Sequence, residues 1–134
     1  VTQILAFIAA HMDFMWQRGR FRIVGSEARP SNGGDAWVLI ESSRLRIRML
    51  RDRSQLFLDL QPVLAPETHW YSIDLVRRLF TGHQERSAVL DESFAAFLED
   101  NLELIEELFD STNWSDTRSR LKRIRVQRAK EMFG

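Results

Sequence analysis

His69, Trp70, Tyr71 and Asp74 bring an imidazole, a phenol and a carboxylate into one short stretch, the side-chain types that general acid–base catalysis uses. The same residues serve equally as the packed start of a helix opening at Ser72. There is no G-x-S-x-G turn and no phosphate-cradling glycine loop; Gly33 and Gly34 fall in a turn between strands rather than before a helix. His11, His69 and His83 lack the HxxxH or HExxH spacing that would put two imidazoles on one helix face, so no metal is expected. Cysteine is absent, which removes disulfides, thiolate nucleophiles and cysteine-ligated zinc together. The reading is a chain that is not an enzyme and takes no cofactor; a small enzyme centred on His69 and Asp74 is the alternative.

A second constellation is richer. Arg44, Arg46 and Arg48 alternate with Leu45, Ile47 and Met49, which puts three guanidinium groups on one face of a strand and three apolar side chains on the other. Pairing Ile40 with Leu45, Val38 with Ile47 and Ala36 with Met49 across the Ser42–Ser43 pair keeps every apolar residue inward. The next hairpin does the same when Met49, Ile47 and Leu45 face Leu56, Leu58 and Leu60. This register sets Trp37, Leu39 and Glu41 on one flank of the arginines and Phe57, Asp59 and Gln61 on the other. Arg46 then lies between Leu39 and Asp59, and Arg48 between the Trp37 and Phe57 rings, placed for cation–π contact. Aromatic side chains beside arginine are the composition of interaction surfaces. Trp37, Leu39, Arg44, Arg46, Arg48, Phe57 and Asp59 are therefore the candidate partner-binding residues, the partner being another protein or a second copy in a homodimer. The alternative is single-stranded nucleic acid, with bases stacked on Trp37 and Phe57 and phosphates on the arginines. No RNA-recognition, KH or helix-turn-helix motif supports it.

The elements that position these residues read as an α+β domain. Ile4, Leu5, Ile8, Met12, Met15 and Trp16 recur at helical spacing and predict one N-terminal helix ending near Gly19. A strand over Arg20 to Ser26, with Phe21 and Ile23 on one side, precedes a loop from Pro30 to Gly34. Strands Ala36 to Glu41 and Arg44 to Leu50 follow, and the turn Arg51 to Ser54 leads into the last strand of a four-stranded antiparallel meander. After Pro62 and Pro66 the period becomes helical. Ser72 and Gly82 bound one helix, Asp91 caps a longer one, and a last helix begins near Ser115 and buries Leu121, Ile124, Met132 and Phe133. The three are expected to pack on one face of the sheet. Charges between Asp91 and Asp110 are all acidic and those between Arg118 and Lys130 all basic, which predicts that the last two helices pack antiparallel and attract each other.

Composition agrees. A chain of 134 residues, 44% hydrophobic and 28% charged, fits one globular domain over residues 1–134. Nineteen basic residues balance nineteen acidic ones, so no global field draws the chain to nucleic acid or an anionic membrane. The apolar stretch Ile4 to Trp16, broken by His11 and Asp13, is shorter than the about 20 residues a membrane span needs. It also lacks the basic start and small-residue cleavage site of a signal peptide. A cytoplasmic location is the expectation.

The layout of an N-terminal helix, a meander with the Arg51 to Gln55 turn (RDRSQ), a Trp70-Tyr71-Ser72-Ile73-Asp74-Leu75 helix start and a helical pair ending in Arg128-Ala129-Lys130-Glu131-Met132-Phe133-Gly134 resembles small bacterial α+β domains of uncharacterised role. Some proteins of this build resemble immunity proteins that neutralise polymorphic toxins. The resemblance covers most of the chain through its layout and carries no catalytic residues across. Many nuclease-neutralising immunity proteins are acidic, whereas this face is arginine-rich, which argues against a nuclease toxin as partner.

Overall fold

Two tight turns set the sheet. In the computed structural model, which describes residues 1–17, 20–28, 35–63 and 69–133, strands β1 (Arg22–Ala28), β2 (Ala36–Glu41), β3 (Leu45–Asp52), β4 (Gln55–Pro62) and β5 (Tyr71–Ser72) form one antiparallel sheet in the order β1-β2-β3-β4-β5. At the β2–β3 corner the Ser42 N–H donates to the Leu45 carbonyl at 2.9 Å, and Ser42 Oγ accepts from the amides of Arg44 and Leu45 at 3.3 and 3.1 Å. Ser42 is thus the last ladder position and Ser43–Arg44 the turn, one residue beyond the expected Ser42–Ser43. At the β3–β4 corner Arg53 and Ser54 both hold left-handed backbone, φ 52° and 70°. Two successive left-handed residues form the turn whose twist matches that of the flanking strands, so β3 runs on to Asp52 and β4 starts at Gln55.

Each turn moves the register by two residues from the expected one. Ile40 faces Ile47, Val38 faces Met49 and Ala36 faces Arg51; Met49 faces Leu58, Ile47 faces Leu60 and Leu45 faces Pro62. A shift of two preserves the side of every side chain, so the inward set is still apolar and buried. Strand β1 starts later than expected and carries a bulge between Ile23 and Gly25. Phe21 is buried just ahead of it while Ile23 is exposed, which corrects their placement on one face. β5 is a fifth strand where four were expected; it pairs Ser72 with Asp59 and Tyr71 with Leu60. Two residues are too short to leave a period in the sequence.

The expected single first helix is two, α1 (Thr2–His11) and α2 (Phe14–Gln17), separated at Met12–Asp13. Gly19, the loop from Pro30 to Gly34, and Pro66 lie outside the described residues. Helix α3 (Ile73–Thr81) ends at Gly82, whose φ of 75° is the left-handed conformation glycine adopts freely. Helices α4 (Glu92–Leu108) and α5 (Trp114–Phe133) follow. α1 lies against β3, α3 against β4, β5, α4 and α5, and their apolar faces join the inner sheet face in one continuous buried cluster. Among the described residues no helix is long and apolar enough to cross a membrane.

One expectation about the last helix is overturned. Leu121 is buried, but Met132 and Phe133 are 68% and 84% exposed because α5 outruns the core it packs on. The ion pairs of α5 include two with α3. Arg128 pairs with Asp74 of α3 at 2.7 Å, and Arg78 of α3 pairs with Glu131 at 2.8 Å. On α4 the buried Glu106 turns the other way, to Arg20 at 3.1 Å and the Ser42 hydroxyl at 2.9 Å.

Asp91 caps α4 as its position predicts, accepting from the Phe94 amide at 3.0 Å. Burial opposes its charge, but hydrogen bonds from Ser93 and from the Phe94 amide, with the Arg77 charge, outweigh it and hold the carboxyl below its ordinary value. Replacing Asp91 by Ala is expected to cost about 1 kcal/mol. Because the folded-state value is depressed, the contribution is complete above the unfolded carboxylate's value of about 4 and is lost as pH falls through the folded one. Thermal unfolding of both chains against pH should therefore show a gap at neutrality that closes in acid.

Candidate functional site

The outer sheet face carries the candidate residues, in an order the turns rearrange. Arg48 lies between Leu39 and Asp59, and its Nη2 pairs with Asp59 at 2.9 Å. Arg46 lies between Glu41 and Gln61, donating Nε to Glu41 at 3.0 Å and Nη1 to Gln61 at 2.7 Å. Leu50, not Arg48, separates Trp37 from Phe57. Arg44 sits in the β2–β3 turn, off the ladder. The expected placement of Arg46 between Leu39 and Asp59, and of Arg48 between two rings, is thus corrected by the two-residue shift. Leu39, Arg48 and Asp59 do come together, Trp37 and Phe57 flank Leu50, and all are half-buried.

Arg48 does find a ring, supplied by a residue outside the expected set. Its guanidinium carbon stands 4.4 Å from the centre of the Trp70 ring, and that of Arg46 stands 5.4 Å away. The backbone around Trp70 is fixed from both sides: Gln61 Nε2 donates to the His69 carbonyl at 3.1 Å, and Arg125 of α5 donates to the Trp70 carbonyl at 2.9 Å. With Tyr71 turned inward and fully buried, alternation turns Trp70 outward. That alternation was the available signal, hidden because the stretch reads as a helix start.

Trp37 is fixed as firmly. Its indole N–H donates to Glu27 at 3.0 Å, and the ring lies so close over Gly25 that a Cβ there would stand 3.3 Å from Cζ3. Glycine at this bulge is what lets the ring lie down on β1. Between the two indoles is a hollow of about 230 Å³ lined by Trp37, Leu39, Arg48, Leu50 and Trp70. On the far side of Trp37 and Leu50 lies a second hollow of about 440 Å³, bounded by Phe57 and by Glu27, Asp35, Arg51 and Asp52. The hollow between the indoles is a groove with aromatic and aliphatic walls. Arg46 and Arg48 are already matched by Glu41, Gln61 and Asp59, so this groove projects little positive field; it can seat apolar side chains and offer guanidinium and carboxylate edges to a backbone.

The alternative acid–base pair is not assembled in the same way. His69 is exposed, whereas Asp74 is buried and its carboxylate accepts from Ser72 Oγ and from Arg128 at 2.7 Å. Among the described residues no group of three or more His, Asp or Glu side chains is placed to hold a metal ion. Compared with known proteins, the chain matches no family model, no curated protein and no solved structure at a significant level.

Proposed function

We propose that the chain is a non-catalytic protein-interaction domain that receives another protein in the groove between Trp37 and Trp70. The observation that carries this reading is the pair of indoles, each held by its own hydrogen-bonded or close-packed support, on either side of Leu39 and Leu50. Rings fixed before binding lose little conformational freedom on contact, which is how an aromatic anchor becomes an affinity hot spot. The partner's complementary feature is an aliphatic or aromatic side chain on an extended segment or helix face. An immunity-like role, which the layout resembles, is one form of such a function. Nucleic-acid binding is the weaker reading, since Arg46 and Arg48 would have to leave Glu41, Gln61 and Asp59 to meet phosphate.

Replacing Trp37 by Ala together with Leu39 by Arg empties one wall and puts a charge on the floor. Partner capture by the variant should fall by at least about tenfold relative to the wild-type chain, the loss of one hot spot, with circular dichroism unchanged. Equal capture by both chains overturns the proposal. Salt-sensitive retention of random single-stranded oligonucleotides, lost in the same variant, would favour nucleic acid instead.

A further inference from the structure

Helices α4 and α5 each turn a charged face to solvent, and the faces are opposite in sign. On α4 the exposed Asp100, Glu103, Leu104 and Glu107 recur at helical spacing, with Glu99 beside them; on α5 the exposed Lys122, Arg123, Val126, Lys130 and Phe133 do the same. Each face also carries apolar surface: Leu104 is 53% exposed on the acidic one, and Val126 and Phe133 are 55% and 84% exposed on the basic one. The ion pairs that dock α5 use Arg128 and Glu131, which point to α3. Among the described residues no side-chain hydrogen bond or ion pair engages Glu99, Asp100, Lys122, Arg123 or Lys130. These five charges are therefore left unspent by the fold of one chain.

A hollow of about 290 Å³ opens on the acidic face, lined by Glu99, Asp100, Glu103 and Leu104 of α4 with Phe14 and Arg20 opposite. It has room for one large side chain, with carboxylates at its rim. The basic face presents such a side chain in Phe133, with Lys130 one turn before it. With nineteen charges of each sign, two copies meet without net repulsion.

We infer that the occupant of the α4 face is the α5 face of a second copy of this chain. Related by a two-fold axis, the copies make the contact twice and leave neither charged face open. An anionic membrane or a nucleic acid would satisfy α5 alone and be repelled by α4.

Sedimentation velocity of the full chain tests this. At low salt the wild type should shift with concentration toward twice the 15.8 kDa chain mass, and about 0.5 M salt should reverse the shift by screening exposed charges. The K122E/R123E variant and the E99K/D100K variant should each lose self-association by about a hundredfold or more, since like charges then meet. Mixed one to one they should associate again, because the acidic faces of one now meet the basic faces of the other; a merely structural effect of the substitutions does not predict this rescue. The W37A/L39R variant should dimerise as the wild type does, which separates this contact from partner binding at the sheet. A monomer at every concentration, salt-independent association, failure of the mixed variants to associate, or a monomer that binds anionic vesicles or oligonucleotides through α5 would each overturn the inference.

Discussion

Replacing Arg128 by Met is expected to lower the free energy of unfolding by about 3 kcal/mol, the low end of the about 3–5 that follows when a buried ion pair loses one partner. Asp74 is 4% exposed, and its carboxylate has two side-chain partners, Ser72 Oγ and Arg128 Nη1. Removing Arg128 leaves the negative charge in place, hydrogen-bonded only by a neutral hydroxyl. Arg128 is itself 32% exposed, so water reaches the edge of the pair and keeps the loss at the lower figure. The substitution also undoes one of the contacts that hold α5 to α3. Urea denaturation measures the change, and a loss below about 1 kcal/mol would mean that Asp74 is not dependent on the pair. Two controls sharpen the result. Arg123→Met, on the exposed face of the same helix, should stay within about 0.5 kcal/mol of wild type. Adding Asp74→Asn to Arg128→Met should recover much of the loss, because the cost lies in the stranded charge and the two positions are coupled.

Asp74 also marks where sequence reasoning stopped. Its neighbourhood with His69 and Tyr71 is readable as acid–base chemistry or as a helix start, and the arginine that pairs with it, Arg128, lies on another helix. No local pattern encodes that contact. What was legible was what period and punctuation carry: the inward and outward sides of β2, β3 and β4, the cap at Asp91 and the stop at Gly82. Register was not, because two turns with no Asn-Gly or Asp-Gly signature left their own length undetermined, and a slip of two residues changes neighbours without changing sides. Hence the outer face kept all its expected members but Arg44, while Arg48 exchanged Trp37 and Phe57 for Leu39 and Asp59. The ring that meets Arg48, Trp70, sits beside a two-residue strand that no periodicity announces. The charge segregation of α4 and α5 is legible as composition, but the neighbour each charge meets is not, since helical faces are assigned by packing: Arg125 of α5 reaches the Trp70 carbonyl and Arg128 reaches Asp74 of α3.

Truncating Phe109 to Ala should cost about 3–5 kcal/mol, the range for emptying a buried aromatic site. Phe109 is 1% exposed at the end of α4, with its ring centre 5.0 Å from that of Trp114 at the start of α5. Trp114 meets the fully buried Tyr71 edge-on at 5.6 Å, and Tyr71 in turn lies under Arg125. The cavity therefore opens where the α4–α5 corner, the edge strand β5 and the anchor of α5 converge, and the two aromatic residues there, Trp114 and Tyr71, are held by separate elements and have little freedom to collapse into it. Phe109→Leu, which keeps most of the volume, should cost roughly 1 kcal/mol. The urea midpoint should fall for both while the slope stays at its wild-type value, as expected when the native packing alone is changed. The Ala variant carries a further consequence for the candidate groove: Trp70 precedes Tyr71 in the same extended segment and shares the Arg125 anchor through its carbonyl. Loosening the Tyr71–Trp114 stack should therefore weaken partner capture at temperatures where the variant is still folded, whereas Phe109→Leu should leave it at the wild-type level. Undiminished capture by folded Phe109→Ala would show that Trp70 is held by the sheet side, through Gln61 and Arg48, without help from the aromatic corner.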